Sequence, residues 1–112
     1  MTKAIAEEKF TVTHGSGNVF LDLGFPPDEA ANLLLRSTLM ARITRIAREG
    51  GRTQAQAAKA LGITQPRLNL LLKGRIDEFS LDALVNMLAR AGYKAELKIS
   101  KVARRRQTLA AA

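Results

Sequence analysis

The most informative part of the chain runs from residue 53 to residue 73 and reads Thr53-Gln-Ala-Gln-Ala-Ala-Lys-Ala-Leu-Gly-Ile-Thr-Gln-Pro-Arg-Leu-Asn-Leu-Leu-Leu-Lys73. A threonine followed three residues later by Gln56 is a capping box, with which helices begin, and Gly62 is typical of a helix end. Thr64 can cap a second helix, which Lys73 and Gly74 close. The stretch therefore predicts two short helices joined by a turn that contains glycine.

The side chains of this stretch divide into an inward set and an outward set. The predicted buried seam consists of Ala57, Leu61, Ile63, Leu68 and Leu71, with the small Ala58 where the two helices approach each other. The outward positions of the second helix are Gln65, Pro66, Arg67, Asn69, Leu70 and Lys73. Two short helices that pack in this way across a tight turn form a helix-turn-helix arrangement.

Further helices are predicted on both sides of the motif. Pro26-Pro-Asp-Glu29 is a helix start, because proline suits the first turn and acids favour the positive end of the helix dipole. Apolar residues recur at helical spacing until Gly50-Gly51, which predicts one long helix or two helices broken near Ser37-Thr38. After the motif, Ser80 caps another helix that Gly92 ends.

Three segments have strand character. Phe10–Thr13 and Asn18–Leu23 are rich in β-branched and aromatic residues and flank His14–Gly17, which predicts a short hairpin. Tyr93–Ser100 alternates apolar and polar residues, as a half-buried strand does. Its partner is either the N-terminal hairpin or the same strand of a second copy across a two-fold axis. If truncation after Gly92 left a stable dimer, the second alternative would be wrong.

These elements predict a mainly α protein with short N-terminal strands and a C-terminal strand. The predicted boundaries are an N-terminal extension with a hairpin (1–25), a helical DNA-binding domain (26–92) with the helix-turn-helix (53–73), a dimerisation strand (93–100) and a basic disordered tail (101–112).

The composition fits one small domain and excludes several function classes. The 112 residues include 18 Lys+Arg, 10 Asp+Glu, one His and no Cys, so the formal net charge is +8. The absence of cysteine excludes a disulfide scaffold, a cysteine zinc site and a thiol nucleophile, and one histidine makes a metal site improbable. No phosphate loop, nucleophile–base interval or cofactor motif is present, so we expect no enzyme and no cofactor.

No apolar run approaches the roughly 20 residues of a membrane span, and the N-terminus lacks the apolar stretch of a signal peptide. We therefore expect a cytoplasmic protein that does not bind membranes.

The positive charge is concentrated in the middle of the chain. Residues 36–75 hold nine basic residues and one acid, whereas residues 1–35 have a net charge of −3 and residues 76–112 a net charge of +3. This distribution is typical of a face that binds phosphates, but a solvated helix surface would give the same pattern. The arginines of the long helix (Arg36, Arg42, Arg45 and Arg48) more often solvate a face or pair with acids, so they are left out of the predicted site.

The stretch from Thr53 to Arg67 resembles the helix-turn-helix of the Xre/Cro transcriptional regulators. Gly17–Phe25 and Gly74–Leu84 are similar to small Xre-type regulators of the HigA-like antitoxin group, and the likeness covers residues 17–100. The resemblance implies a lambda-repressor-like bundle of four to five helices that binds a palindromic operator as a homodimer. It also implies a neighbouring RelE/HigB-like toxin that the protein neutralises.

The resemblance also implies roles for single residues. Gln54 would contact a phosphate through its side chain and its backbone N–H, and Gln65, Pro66, Arg67 and Leu70 would face bases. Arg67 suits guanine and Gln65 suits adenine, and each such contact discriminates by about 1–3 kcal/mol. Lys73 and Arg75 are predicted to contact phosphates. The complete predicted DNA-binding set is Thr53, Gln54, Thr64, Gln65, Pro66, Arg67, Asn69, Leu70, Lys73 and Arg75.

Two residues depart from the family pattern. Arg52 stands where an apolar residue is usual, so either the packing there differs or a phosphate contact has been gained. Leu70 stands where a polar residue is common, so either it contacts a thymine methyl group or base reading is altered.

The sequence leaves three alternative functions open. The first is a sequence-specific regulator that acts as an autorepressing antitoxin near the nucleoid. The second is a protein-interaction module that neutralises a toxin with little base specificity, and the third is a non-specific nucleoid-binding protein.

Overall fold

A computed structural model describes residues 17–101 of the chain. Five α-helices follow one another in this part: α1 (Val19–Asp22), α2 (Pro27–Arg48), α3 (Gln54–Leu61), α4 (Gln65–Leu72) and α5 (Leu81–Arg90). Two 3₁₀ turns, Glu49–Gly51 and Ile76–Glu78, join α2 to α3 and α4 to α5. The prediction of a mainly helical bundle with four to five helices is confirmed.

The long helix α2 is continuous and is not broken near Ser37 and Thr38. Both hydroxyl groups donate hydrogen bonds to the Leu34 carbonyl, at 3.0 and 2.8 Å, so they are satisfied within the helix itself. Pro26 precedes the helix with extended backbone, and the acids Asp28 and Glu29 lie in its first turn. The start that the sequence predicts is therefore present, and the helix continues for 22 residues.

Helices α3, α4 and α5 pack around α2 and enclose one core. The largest fully buried side chains are Phe79, Ile43, Ile46, Leu61, Leu68, Leu71 and Leu84. The predicted seam of the two short helices is buried as expected, except that Ile63 in the turn is half-buried. No polar or charged residue is buried within residues 17–101. The core is therefore apolar throughout, and its burial drives the packing of the short helices.

The turn between α3 and α4 depends on its glycine. Gly62 has a φ of +73°, in the left-handed region that favours glycine, and its N–H donates to the Ala58 and Lys59 carbonyls. A Cβ at this position would also collide with the side chain of Arg90, whose Nη1 donates to the Gly62 carbonyl at 3.4 Å. The predicted helix end at Gly62 is confirmed.

The prediction of a strand over Asn18–Leu23 is wrong, because these residues form α1. Asn18 Oδ1 caps this helix by accepting from the backbone N–H groups of Phe20 (2.9 Å) and Leu21 (3.4 Å), and Asn18 Nδ2 donates to the Ala30 carbonyl of α2 (3.1 Å). The Phe20 ring meets the Phe25 ring edge-on at 6.1 Å. Capping and packing on α2 therefore outweigh the β-propensity of Val19 and Phe20. The other predicted strand, Phe10–Thr13, lies outside the described residues.

Tyr93–Ser100 forms neither a helix nor a strand, so the predicted strand is absent from the single chain. A strand exists only when a neighbouring backbone pairs with it, and no β-strand is present anywhere in residues 17–101. The prediction of a strand within one chain is therefore corrected, while pairing with a second copy stays a prediction. The predicted disordered tail falls, except for Lys101, outside the described residues.

Candidate nucleic-acid interface

Helix α4 buries one side and exposes the other. Leu68 and Leu71 are buried in the core, whereas Gln65, Asn69 and Lys73 succeed one another at intervals of four residues and are all exposed. This interval places the three side chains on one face of the helix and its C-terminal end. The face therefore presents two amides and a positive charge, which can hydrogen-bond to base edges and to phosphates.

Pro66 is also exposed and lies in the first turn of α4, where no backbone N–H is needed. Leu70 is half-buried and packs against the core. The burial explains why a leucine is stable at this departure from the family pattern, since much of its side chain is covered by protein.

Threonines cap the two motif helices, as predicted. Thr53 Oγ1 accepts from the Gln56 N–H at 3.1 Å while Gln56 Oε1 accepts from the Thr53 N–H at 2.8 Å, and Thr64 Oγ1 accepts from the Arg67 N–H at 3.3 Å. Each hydroxyl still has its own hydrogen to donate. Gln54, the first residue of α3, is exposed at the end of the helix where backbone N–H groups attract anions.

A groove beside the start of α3 contains two arginines that the predicted site set does not include. It has a volume of about 200 Å³ and is lined by Ala47, Arg48, Arg52, Gln54, Ala57, Leu68 and Leu72. The turn Glu49–Gly51 brings Arg48, the last residue of α2, to the same groove as Gln54. Gly50 and Gly51 in this turn have φ of 71° and 65°. Two consecutive glycines are typical of a tight turn, so this pair could have indicated in the sequence that Arg48 lies beside the start of α3.

The Arg67 side chain contacts protein rather than solvent alone. It is half-buried, its guanidinium carbon lies 4.4 Å from the centre of the Phe79 ring, and its Nη2 donates to the Glu78 carbonyl at 3.2 Å. Both contacts join α4 to the segment that leads into α5. Arg67 therefore lies beside the exposed face. Its guanidinium can contact a base only if it first leaves the Phe79 ring and the Glu78 carbonyl.

Arg36 contacts the same segment from the other side. Its Nη1 donates to the carbonyls of Ile76 (3.0 Å) and Phe79 (3.3 Å), and its Nε donates to Asn32 Oδ1 (2.8 Å). We call residues 76–79 the arginine-held loop, because Arg36 and Arg67 together bind three of its carbonyls. Two charges of the basic segment 36–75 therefore serve the fold.

The remaining predicted residues lie at the C-terminal end of α4. Lys73 is its exposed C-cap, and the side chain of Arg75 is about half exposed, with Nε 3.9 Å from Asp77 Oδ1. An ion pair this exposed contributes little to stability. Arg75 can therefore turn to a phosphate without much loss.

Residues 17–101 contain neither a cluster of metal-binding side chains nor a membrane-spanning helix. No group of acidic or histidine side chains there could hold a metal ion. None of the helices in that range is both long and apolar enough to span a bilayer.

A family model described as a helix-turn-helix domain matches residues 19–100. No curated protein matches the chain. The match includes every helix described above and both capped helices of the motif. The chain therefore belongs to the helix-turn-helix domain family, and its fold is that of a DNA-binding regulator.

Proposed function

We propose that the protein is a sequence-specific DNA-binding regulator whose helix α4 enters the major groove. The observation that carries the proposal is the exposed pair Gln65 and Asn69 on the outer face of a helix whose inner face is buried. Glutamine and asparagine each make bidentate hydrogen bonds to adenine in the major groove. Because Leu68 and Leu71 anchor α4 in the core, the backbone positions from which these two amides project are fixed.

Backbone contacts would position α4 on the duplex. Five residues at or just beyond the ends of the two motif helices can bind phosphates: Thr53 and Gln54 at the start of α3, Thr64 at the start of α4, Lys73 at its C-cap and Arg75 two residues later. Pro66 and Leu70 offer apolar contacts to thymine methyl groups, the latter with the exposed part of its side chain. Arg67 contributes guanine preference only after it leaves Phe79 and Glu78.

The role of the two exposed amides in base recognition is tested by measuring binding to two duplexes. Fluorescence anisotropy follows binding of the full chain to the duplex upstream of its own gene and to a scrambled duplex, each at two salt concentrations. We expect a preference of about a thousandfold for the native duplex. Gln65→Ala and Asn69→Ala should each weaken native binding by about 10- to 100-fold and leave scrambled binding unchanged. The matched control is Lys59→Ala, at an exposed position on α3. This change should weaken binding to the native and the scrambled duplex equally.

A homodimer on a palindromic operator follows from the limited reach of one helix. One α4 reads only a few base pairs, and two copies about 34 Å apart read successive major grooves of one face of the duplex. We propose that the protein binds its own promoter in this way and represses it, acting at the nucleoid in the cytoplasm. The proposed activity is binding, with no catalytic step.

The antitoxin role is proposed from the resemblance to HigA-like regulators. The exposed acids Asp22, Asp28 and Glu29 lie on α1 and the first turn of α2 and could meet a basic RelE/HigB-like toxin. The test is growth arrest by the product of the neighbouring gene, with and without this protein. Restored growth in the presence of this protein supports the role. Loss of that rescue in a variant with all three acids replaced by amides would show that these acids lie on the toxin-binding surface.

A non-specific DNA coat is the second candidate, and the burial of Arg67 and Leu70 favours it. Two of the four residues that the resemblance assigned to base reading have much of their surface against protein. Equal affinity for the native and scrambled duplexes, with the same salt dependence, would establish this function instead.

A further inference from the structure

The segment 93–101, here called the C-terminal arm, leaves α5 with an unpartnered apolar edge. Leu97 and Ile99 are 72% and 86% exposed, and both belong to the apolar set that alternates with Lys94, Glu96 and Lys98. Lys94 Nζ lies 3.2 Å from Glu96 Oε2, so side chains two residues apart lie on one side of the arm, as they do in a strand. Residues 93–100 form neither a helix nor a turn, and no backbone within residues 17–101 pairs with them as a strand.

We infer that the arm pairs antiparallel with the arm of a second copy, centred on Leu97. This inference rests on the proposed homodimer and names its surface and its register. The pairing places Leu97 opposite Leu97 of the partner subunit and Ala95 opposite Ile99 of the partner subunit, so apolar residues share one side. On the other side Glu96 lies opposite Lys98 of the partner subunit.

The charges of the arm select this register. In a two-fold antiparallel pair, a centre on Glu96 or Lys98 puts that charged side chain opposite its own copy, and directly opposed like charges destabilise a sheet. A centre on Ala95 or Leu97 puts opposite charges together. Of these four registers, only the ones centred on Ala95 and Leu97 remain.

The end of α5 decides between the two. A centre on Ala95 confines the pairing to residues 93–97, because Ala91 is the C-cap of α5 and Gly92 has a φ of +89°. It leaves Ile99, the most exposed apolar side chain of the arm, without a partner. A centre on Leu97 pairs the whole arm, residues 93–101, and includes Ile99. Since a bare two-stranded ribbon is marginally stable, we expect a dimer of about micromolar affinity that binding to two half-sites reinforces.

The test uses charge reversals in the full chain, without DNA, and sedimentation velocity at low salt. Glu96→Lys and Lys98→Glu should each weaken the dimer by about tenfold, because each converts two attractive cross-strand pairs into repulsive ones. The double variant should regain wild-type affinity. An equimolar mixture of the two single variants should form heterodimers, since every cross-strand charge pair is then complementary.

Lys94→Glu is the control that distinguishes the registers. In the Leu97 register Lys94 faces the uncharged Ser100 of the partner subunit, so the change should weaken the dimer less than Lys98→Glu does. Rescue of Glu96→Lys by Lys94→Glu instead of by Lys98→Glu would show the Ala95 register and overturn the proposal. Circular dichroism checks that each variant keeps its helices.

Other outcomes separate this inference from the proposed function. A monomeric wild-type chain, or a dimer that none of the reversals affects, overturns the arm pairing even when the native duplex is preferred. A dimer that responds as expected, in a protein with no preference for the native duplex, supports the arm pairing and refutes sequence-specific regulation.

Discussion

Replacement of Arg67 by alanine should lower the stability of the domain more than it changes base preference. The change removes the stacking of the guanidinium on Phe79 and the hydrogen bond to the Glu78 carbonyl. A cation–π contact at a half-exposed site contributes about 0.5–1 kcal/mol, and a hydrogen bond of this kind about 0.5–1.5 kcal/mol net. Together they stabilise the fold by about 1–2.5 kcal/mol.

The same contacts reduce what Arg67 can contribute to recognition. A bidentate contact to guanine discriminates by about 1–3 kcal/mol, but the arginine must first release the contacts it already makes. The difference leaves at most about 2 kcal/mol for guanine preference. An exposed residue such as Gln65 has no such release to offset its gain.

Thermal unfolding followed by circular dichroism measures the first effect. A loss of about 1–2.5 kcal/mol lowers the Tm of a domain of this size by about 5–12 °C. Lys59→Ala removes one charge from an exposed position and should leave the Tm within about 2 °C, since surface changes of this kind are usually within ±0.5 kcal/mol. Anisotropy on duplexes with single base changes measures the second effect, and we expect Arg67→Ala to change the preference at any one position by less than about thirtyfold.

An unchanged Tm in Arg67→Ala, combined with complete loss of preference at one guanine, would refute this reasoning. It would mean that the contacts to Phe79 and Glu78 contribute nothing to the fold. Arg67 would then be a base-reading residue in the ordinary sense.

Three further predictions concern stability and charge. Gly62→Ala should destabilise the protein by about 1 kcal/mol more than Gly50→Ala, because both positions have positive φ but only the first also displaces Arg90 from the Gly62 carbonyl; chemical denaturation measures the difference, and Arg90→Ala as a common background should abolish it. Arg52→Met, which keeps an unbranched side chain beside the groove, should reduce the slope of log K against log salt by about 0.9 with unchanged Tm, and an unchanged slope would show that Arg52 contacts no phosphate. Asn18→Ala should lower stability by about 0.5–2 kcal/mol through loss of the α1 cap, whereas a strand at this position would be insensitive to the change.

The sequence was sufficient where structure depends on neighbouring residues. Thr53, Thr64 and Ser80 each accept a hydrogen bond from the backbone N–H three residues later, so a short pattern contains the whole interaction. Gly62 ends α3 for a reason that is equally local, its left-handed backbone. The bounds of α3 and α4 were therefore predictable from a few side chains each.

The sequence was insufficient where distant residues decide the structure. Asn18 is a good helix cap, but whether Val19 and Phe20 form a helix or a strand depends on α2, which the local pattern does not contain. The exposed face of α4 was predicted from periodicity, yet Arg67 and Leu70 differ from the other outward positions because the loop and the core cover them. Contacts such as that of Arg36 with the Phe79 carbonyl join residues 43 positions apart, and no spacing rule indicates them.

The arginine-held loop has two independent attachments, and this redundancy has an evolutionary consequence. If Arg67 is drawn to a base, Arg36 still holds the Ile76 and Phe79 carbonyls, so the connection from α4 to α5 tolerates the departure. The segment therefore stays attached when either arginine is lost, although each single loss lowers the stability of the fold. We therefore expect epistasis: loss of both arginines should harm folding by more than the sum of the two single losses, because each masks the absence of the other.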